Sequence, residues 1–185
     1  MEINKRLTTK ELLKIIGIGA LIVVSLAMPG LPKVYFLLKG KNKKPLYFDK
    51  KNLSSQIWRL KNKELINISE ERGDTIIRLT EKGKEKVLRY NFEELELERP
   101  EKWDRRWRMV IFDIPEKYKV AREIFREKIK MLGFYRLQDS VFIYPFPCEK
   151  EIEFMREYLG IGNYVLFLTF RELERSELSL TRFNF

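Results

Sequence analysis

A short apolar run that ends in an aspartate places the strongest constraint on how this chain can fold. After Arg108, residues 109–112 are apolar and include β-branched and aromatic side chains, which is typical of a buried strand, and Asp113 follows them. Pro115 then opens a helical pattern of apolar residues, because proline is tolerated in the first turn of a helix. The pattern continues to Leu132, and Gly133 ends it. We therefore predict a buried strand that leads into an amphipathic helix.

Four further elements complete the order. They are strands over residues 134–138 and 141–144, a helix over residues 149–159 that Gly160 closes, and a strand over residues 164–170. Strand, helix, strand, strand, helix, strand is the order of a ferredoxin-like domain. We predict an α+β chain with this βαββαβ domain over residues 103–170, followed by a tail, residues 171–185, that can cross to a partner chain.

The positive charge of the chain is concentrated in its first half. Residues 1–90 hold 20 Lys and Arg against 9 Asp and Glu, whereas residues 103–185 hold 15 against 13. Such an imbalance points to a polyanion that the first half contacts. The intervening stretch, residues 91–102, is acidic, with 2 basic against 5 acidic residues. We expect an acidic linker between two domains at residues 93–102.

The residue types that are absent exclude several kinds of site. The chain has no His and a single Cys, Cys148, so it holds neither a Ser-His-Asp triad nor a zinc site of the usual ligands. A lone cysteine also excludes an internal disulfide framework and suits a reducing compartment, so we expect a cytoplasmic protein. Any metal ion would be a hard cation bound by carboxylates.

An uncharged segment near the N-terminus, residues 15–28, has no polar face. Three interpretations stay open: a helix buried in the protein or against a partner subunit, a short membrane anchor reaching to residue 32, or a cleaved signal peptide with a site near Ala27. As an anchor, it would tether the protein to the membrane with its C-terminal part in the cytoplasm, because lysines are more numerous after it. We assign residues 1–32 to a basic N-terminus and this apolar helix.

The next segment predicts a small helical module with a hairpin. Residues 33–39 suggest a short helix, and Asp49 caps an amphipathic helix over residues 50–63 with a core stripe of Leu53, Ile57 and Leu60. Two strand-like runs, residues 65–69 and 75–79, flank a glycine-containing turn and predict a hairpin. A helix from Thr80 towards Leu88 follows.

This order, with its Glu-Leu-Ile and Leu-Thr-Glu-Lys-Gly segments, resembles the winged helix-turn-helix of bacterial regulators, and we assign it to residues 33–92. The resemblance implies duplex DNA as the partner, with the amphipathic helix in the major groove. We expect two sets of contact residues. Those that read bases are Asn52, Ser55, Gln56 and Arg59, on faces away from the core stripe, and those that hold phosphates are Lys50, Lys51, Arg72 and Arg78.

A second resemblance covers about residues 103–170. Trp-Asp-Arg-Arg-Trp-Arg-Met-Val-Ile-Phe-Asp-Ile-Pro-Glu (residues 103–116) and Leu-Gly-Phe-Tyr-Arg-Leu-Gln-Asp-Ser-Val-Phe-Ile-Tyr-Pro (residues 132–145) look like the central domain of PaaX-type transcriptional repressors. That domain is itself similar to the CRISPR-associated endonuclease Cas-two, in which the first strand also ends in an aspartate, here Asp113. The Cas-two family normally lacks a winged helix. We therefore expect a PaaX-like repressor, without a cofactor, that dimerises through the ferredoxin-like domain.

The alternative function is that of a Cas-two-type protein, either a Mg²⁺-dependent endonuclease or a structural subunit of the spacer-acquisition complex with the CRISPR integrase as partner. In that case Asp113 from each subunit of a homodimer would bind the metal ion and activate water for phosphodiester cleavage. Against it, Asp113 can equally cap the helix that follows and order the turn before it. We favour the capping role and a protein that is not an enzyme.

Overall fold

The computed structural model describes residues 8–17, 22–24, 33–36, 46–71, 74–172 and Phe183. The chain divides into two compact units between Asn91 and Phe92. The elements of the N-terminal unit are α1 (Thr9–Gly17), β1 (Ile22–Val24), β2 (Lys33–Phe36), β3 (Leu46–Asp49), α2 (Lys50–Asn62), β4 (Ile66–Glu71), β5 (Asp74–Leu79) and α3 (Glu81–Glu93). The strands form an antiparallel sheet of order β1-β5-β4 and a separate antiparallel pair, β2-β3.

The core of the N-terminal unit gathers apolar side chains from α1, α2, the β4–β5 hairpin and α3. Its buried members are Leu12, Leu13, Ile16, Leu53, Leu60, Leu65, Ile66, Ile77 and Val87. A capping box begins α1, since the Glu11 amide donates to Thr8 Oγ1 (3.2 Å) and the Thr8 amide donates to Glu11 Oε2 (2.9 Å). Thr8 therefore caps α1.

Two elements predicted near the N-terminus are wrong where the structure describes them. The uncharged segment 15–28 is not one continuous helix, because α1 ends at Gly17 and residues 22–24 form a strand that pairs with β5. Glycine weakens the helix there, and Ile22, Val23 and Val24 are β-branched residues that favour strands. Residues 33–36 are likewise a strand paired with β3 rather than the start of a short helix. The remaining residues of both segments lie outside the described ranges.

The β4–β5 hairpin and the helix after it form as predicted, and α3 extends beyond Leu88 to Glu93. Thr80 begins α3, because its hydroxyl accepts a hydrogen bond from the Gly83 amide (3.0 Å) and donates one to the Glu64 carbonyl (2.7 Å). Gly83 lies against the backbone of Leu65. A Cβ at position 83 would lie 2.0 Å from the Leu65 carbonyl oxygen, so a glycine is required at this position of the Leu-Thr-Glu-Lys-Gly segment.

The C-terminal unit confirms the ferredoxin-like order. Its elements are β6 (Trp107–Phe112), α4 (Lys119–Met131), β7 (Tyr135–Gln138), β8 (Val141–Tyr144), α5 (Glu149–Tyr158) and β9 (Val165–Phe170). All neighbouring strands are antiparallel in the order β7-β8-β6-β9, so the first and third strands are central. Gly133 and Gly160 follow the two helices with φ of 91° and 65°, a conformation that glycine adopts without strain.

The core of this unit lies between α4, α5 and one face of the sheet. Val110 and Phe112 of β6 point into it together with Phe142 of β8, and Phe125 and Ile129 of α4 cover them. Because side chains alternate along a strand, Met109 and Ile111 face the other side of the sheet. In the part of the chain that the structure describes, no helix is both long and apolar enough to cross a membrane.

Candidate nucleic-acid interface

The amphipathic helix α2 turns one side towards the core of the N-terminal unit. Leu53 and Leu60 on that side are fully buried, and Ile57 is half-buried, as the core stripe predicts. Gln56 is buried with them at 7 % exposure. Its side-chain carbonyl accepts a hydrogen bond from the Thr9 hydroxyl, and its amide nitrogen donates to Asn52 Oδ1 (3.1 Å). The prediction that Gln56 lies on an outer face is therefore wrong, since Gln56 completes the inward stripe and contacts α1.

The opposite side of α2 faces solvent. Ser55, Arg59 and Asn62 are exposed there, and so is Trp58, at 64 %. At about 100° per residue, Trp58 lies nearly diametrically opposite the middle of the buried stripe. The residues proposed to read bases did not include it. The signal was present in the sequence, because the direction opposite the core stripe can be computed from the positions of Leu53 and Leu60.

The residues predicted to contact phosphates lie on different elements. Lys50 and Lys51 form the first turn of α2. Arg78 is exposed on β5 and donates to Ser69 Oγ of β4 across the hairpin (3.2 Å). Arg72 lies outside the described residues. The structure thus brings Ser55 and Arg59 to one helix face and places Arg78 on the hairpin.

The C-terminal end of α2 is held by an exposed ion pair. Glu64 adopts a φ of 57° just after the helix, and its carboxylate accepts a hydrogen bond from Lys82 Nζ of α3 (2.9 Å). This hydrogen bond lowers the pKa of Glu64. The pair therefore helps to fix where α2 ends and the hairpin begins, although an exposed pair of this kind stabilises a protein only weakly.

Asp113, the candidate catalytic and metal-binding residue, is exposed at the end of β6. Its backbone amide donates to the Tyr164 carbonyl (3.0 Å). The helical turn that follows is preceded by Pro115 and has no side-chain cap, so the prediction that Asp113 caps the helix is wrong. Within the described residues, no three acidic or sulfur side chains converge on a metal-sized site. Asp113 therefore belongs to no such group within the part of one chain that the structure describes.

Arg122 of α4 orders the turn after β6. Its guanidinium donates to the Ile114 carbonyl (3.0 Å) and to Glu116 Oε2 (2.8 Å). The hydrogen bond from Arg122 lowers the pKa of Glu116. The turn beside Asp113 is therefore held by an arginine from the next helix, which the local sequence pattern around Pro115 does not reveal.

A buried arginine explains much of the motif that opens the C-terminal domain. Arg108 is 4 % exposed, and its guanidinium donates to both carboxylate oxygens of Asp104 (2.8 and 2.6 Å) and to the Pro145 carbonyl (2.9 Å). These bonds lower the pKa of Asp104. Beside them, the rings of Trp103 and Trp107 pack edge to face at 5.2 Å. The Trp-Asp-Arg-Arg-Trp-Arg segment therefore stabilises the start of β6.

Comparisons with known proteins bear on this domain. A search of curated proteins finds no match for the chain. Residues 100–180 match the family model described as the PaaX protein central Cas2-like domain. The matched segment contains the complete βαββαβ order and both motifs on which the resemblance was based. At this coarse level the match supports a PaaX-type regulator. The C-terminal unit of this chain is therefore similar to the PaaX central Cas2-like domain over residues 100–180, which confirms the resemblance predicted from the sequence.

Proposed function

We propose that the protein is a PaaX-type transcriptional regulator that binds duplex DNA through a winged helix in its N-terminal unit. The observation that carries this proposal is the order of elements there. A helix and a strand, α1 and β1, are followed, after the β2–β3 pair, by α2 and the β4–β5 hairpin. β1 pairs with β5 in a sheet of order β1-β5-β4. In this arrangement α2 takes the place of the recognition helix, and the hairpin takes that of the wing.

The chemistry of α2 supports the same function. The helix holds four cationic residues and no acidic one (Lys50, Lys51, Arg59 and Lys61). Its exposed side presents hydroxyl, amide and guanidinium groups, which are the donors and acceptors that contact base edges and phosphates. In the proposed complex Ser55 and Arg59 contact bases, while Lys50, Lys51, Arg72 and Arg78 contact the phosphate backbone.

We further propose that the chain dimerises through its C-terminal domain. On the edge strand β9, Leu166 is 63 % exposed and Leu168 is also exposed. They lie opposite Ile111 and Met109 of β6 in the sheet register, on the face away from α4 and α5. An apolar sheet face of this kind is stabilised when a second surface covers it. A second copy of the chain would cover it symmetrically and give the two half-site contacts of a dimeric regulator.

The proposed function is tested by the affinity of the purified chain for duplex DNA at a series of salt concentrations. Phosphate contacts release counterions, so the logarithm of the affinity falls linearly with the logarithm of the salt concentration, by about 0.9 per phosphate neutralised. Several such contacts predict a slope of several units. An affinity that does not change with salt, or no duplex binding at all, would contradict the proposal. Sedimentation of the wild type and of Leu166→Lys tests the dimer separately.

A further inference from the structure

Trp58 occupies an unusual place for a tryptophan. It projects from the middle of α2 on the side opposite Leu53 and Leu60, with 64 % of its surface in solvent. The indole is the largest apolar side chain, and leaving it in water forgoes the stabilisation that burial would give. The N-terminal unit has a core beneath α2 that would accept apolar groups, yet Trp58 points away from it. A partner that binds this side of α2 would bury the indole.

The surroundings of Trp58 favour DNA over a protein as that partner. On the exposed side, Ser55 and Asn62 lie one turn from Trp58, and Arg59 is next to it in the sequence. The helix α2 contains no carboxylate side chain. By contrast, α4 and α5 of the C-terminal unit carry both signs of charge. A helix whose charged residues are all cationic is complementary to a polyanion. The charge around Trp58 therefore matches that of a nucleic-acid groove.

The major groove offers one apolar group to a side chain of this kind, the 5-methyl group of thymine. We infer that Trp58 is a specificity-determining residue of the DNA contact, and that its indole packs against thymine methyl groups beside the bases read by Ser55 and Arg59. This inference rests on the proposed function, because it concerns the same side of α2. The contact of the indole would add a preference for thymine that the hydrogen-bonding residues alone do not supply.

The test uses the full-length chain and the thymine methyl group itself. Wild-type protein first selects duplexes from a pool with a randomised centre. Each thymine of the selected duplex is then replaced in turn by uracil, which removes one methyl group and keeps the base pair. At one or two positions, wild-type affinity is expected to fall about fourfold, as for the loss of one buried methyl group. Trp58→Ala is expected to bind the parent duplex about tenfold more weakly and to be insensitive to uracil at those positions.

Leu88→Ala is the matched control, because Leu88 is another exposed apolar residue of the N-terminal unit, on α3. It should keep both the parental affinity and the sensitivity to uracil. Circular dichroism spectra of the variants should equal that of the wild type, since neither side chain is buried. Two results would overturn the inference while the proposed function stands: wild-type binding that is indifferent to every uracil, or a Trp58→Ala protein that binds like the wild type. Failure of the wild type to bind any duplex would instead overturn the proposed function, and this inference with it.

Discussion

The Thr9 hydroxyl of α1 donates a hydrogen bond to the side-chain carbonyl of Gln56 in α2, across 47 positions of the sequence. The bond lies at a helix–helix contact within the core of the N-terminal unit, and the Gln56 amide is satisfied in turn by Asn52 (3.1 Å). A polar residue with both groups paired can occupy an inward position on an apolar stripe. Gln56 therefore supports the placement of α2 and does not face a ligand.

The first prediction concerns Gln56→Ala. The substitution removes both hydrogen bonds and leaves the Thr9 hydroxyl without its partner, so the free energy of unfolding should fall by about 1–3 kcal/mol. Urea denaturation measures this change, and Ser55→Ala, an exposed neighbour, should stay within about 0.5 kcal/mol of the wild type. Duplex affinity of folded Gln56→Ala should equal that of the wild type. A loss of affinity without a loss of stability would contradict the inward placement.

The second prediction concerns Asp104→Asn in the C-terminal domain. The variant removes the closer of two carboxylate partners of the buried Arg108 guanidinium and leaves Glu149, whose Oε1 lies 3.5 Å from Arg108 Nε. The free energy of unfolding should therefore fall by about 1–3 kcal/mol. The matched control is Asp139→Asn, because Asp139 pairs with Arg136 at an exposed site and should contribute little. Equal stability of the two variants would contradict the role assigned to Arg108.

The same ion pair predicts a pH dependence. Hydrogen bonds from Arg108 lower the pKa of Asp104 in the folded protein. Its stabilising contribution is therefore fully present above the ordinary aspartate pKa of about 3.9, and it is lost as the pH falls through the lowered value. The difference in unfolding free energy between wild type and Asp104→Asn should be constant near neutral pH and should shrink below about pH 4. A difference in unfolding free energy that grows as the pH falls would contradict this prediction.

The third prediction concerns Gly83→Ala at the start of α3. An added Cβ would lie 2.0 Å from the Leu65 carbonyl oxygen, so the helix or the hairpin must shift. The free energy of unfolding should fall by about 3 kcal/mol. Gly162→Ala is the matched control, because no atom lies within 4 Å of the position that its Cβ would occupy. An unchanged free energy of unfolding in Gly83→Ala would contradict the close approach of α3 to the Leu65 backbone.

The ferredoxin-like order was predictable because its signals are local. Apolar residues change from strand to helical spacing after Asp113, and Gly133 and Gly160 mark where helices end, so neighbouring residues suffice. The segment 15–28 has no charged residue and a single polar side chain, Ser25, so it has no polar face that would set a period. A run of this kind cannot distinguish a helix from a strand. Its pairing with β5 depends on residues more than 50 positions away.

The site was predictable only in part, for a related reason. Helical spacing alone puts Gln56 on the same side of α2 as Leu53 and Leu60. Its polarity nevertheless predicted an outer face, because polar side chains are expected in solvent. Only the tertiary contact with Thr9 reveals why Gln56 is buried. Trp58 is the opposite case. An aromatic residue is expected in the core, whereas the helix places Trp58 in solvent. Both residues depart from the rule that apolar side chains are buried and polar ones exposed.

The fourth prediction concerns Asp113. Because Asp113 belongs to no group of three acidic or sulfur side chains that could hold a metal ion among the described residues, the purified protein should leave duplex and single-stranded DNA and RNA intact in the presence of Mg²⁺. Gel analysis with and without EDTA checks this, with Asp113→Asn beside the wild type and Asp139→Asn as the control. Cleavage that is lost both in EDTA and in Asp113→Asn, but kept in Asp139→Asn, would establish the nuclease alternative instead.

The central claim is that α2 is the DNA-reading helix, and Arg59 tests it most directly. Fluorescence anisotropy of a labelled duplex selected by the wild type gives the dissociation constant at several salt concentrations. Arg59→Ala is expected to weaken binding about tenfold or more, since a contact from arginine to a base contributes about 1–3 kcal/mol. Arg106→Ala, at an exposed arginine of the C-terminal domain, is expected to bind like the wild type. Equal affinities of Arg59→Ala and the wild type for this duplex would contradict the claim.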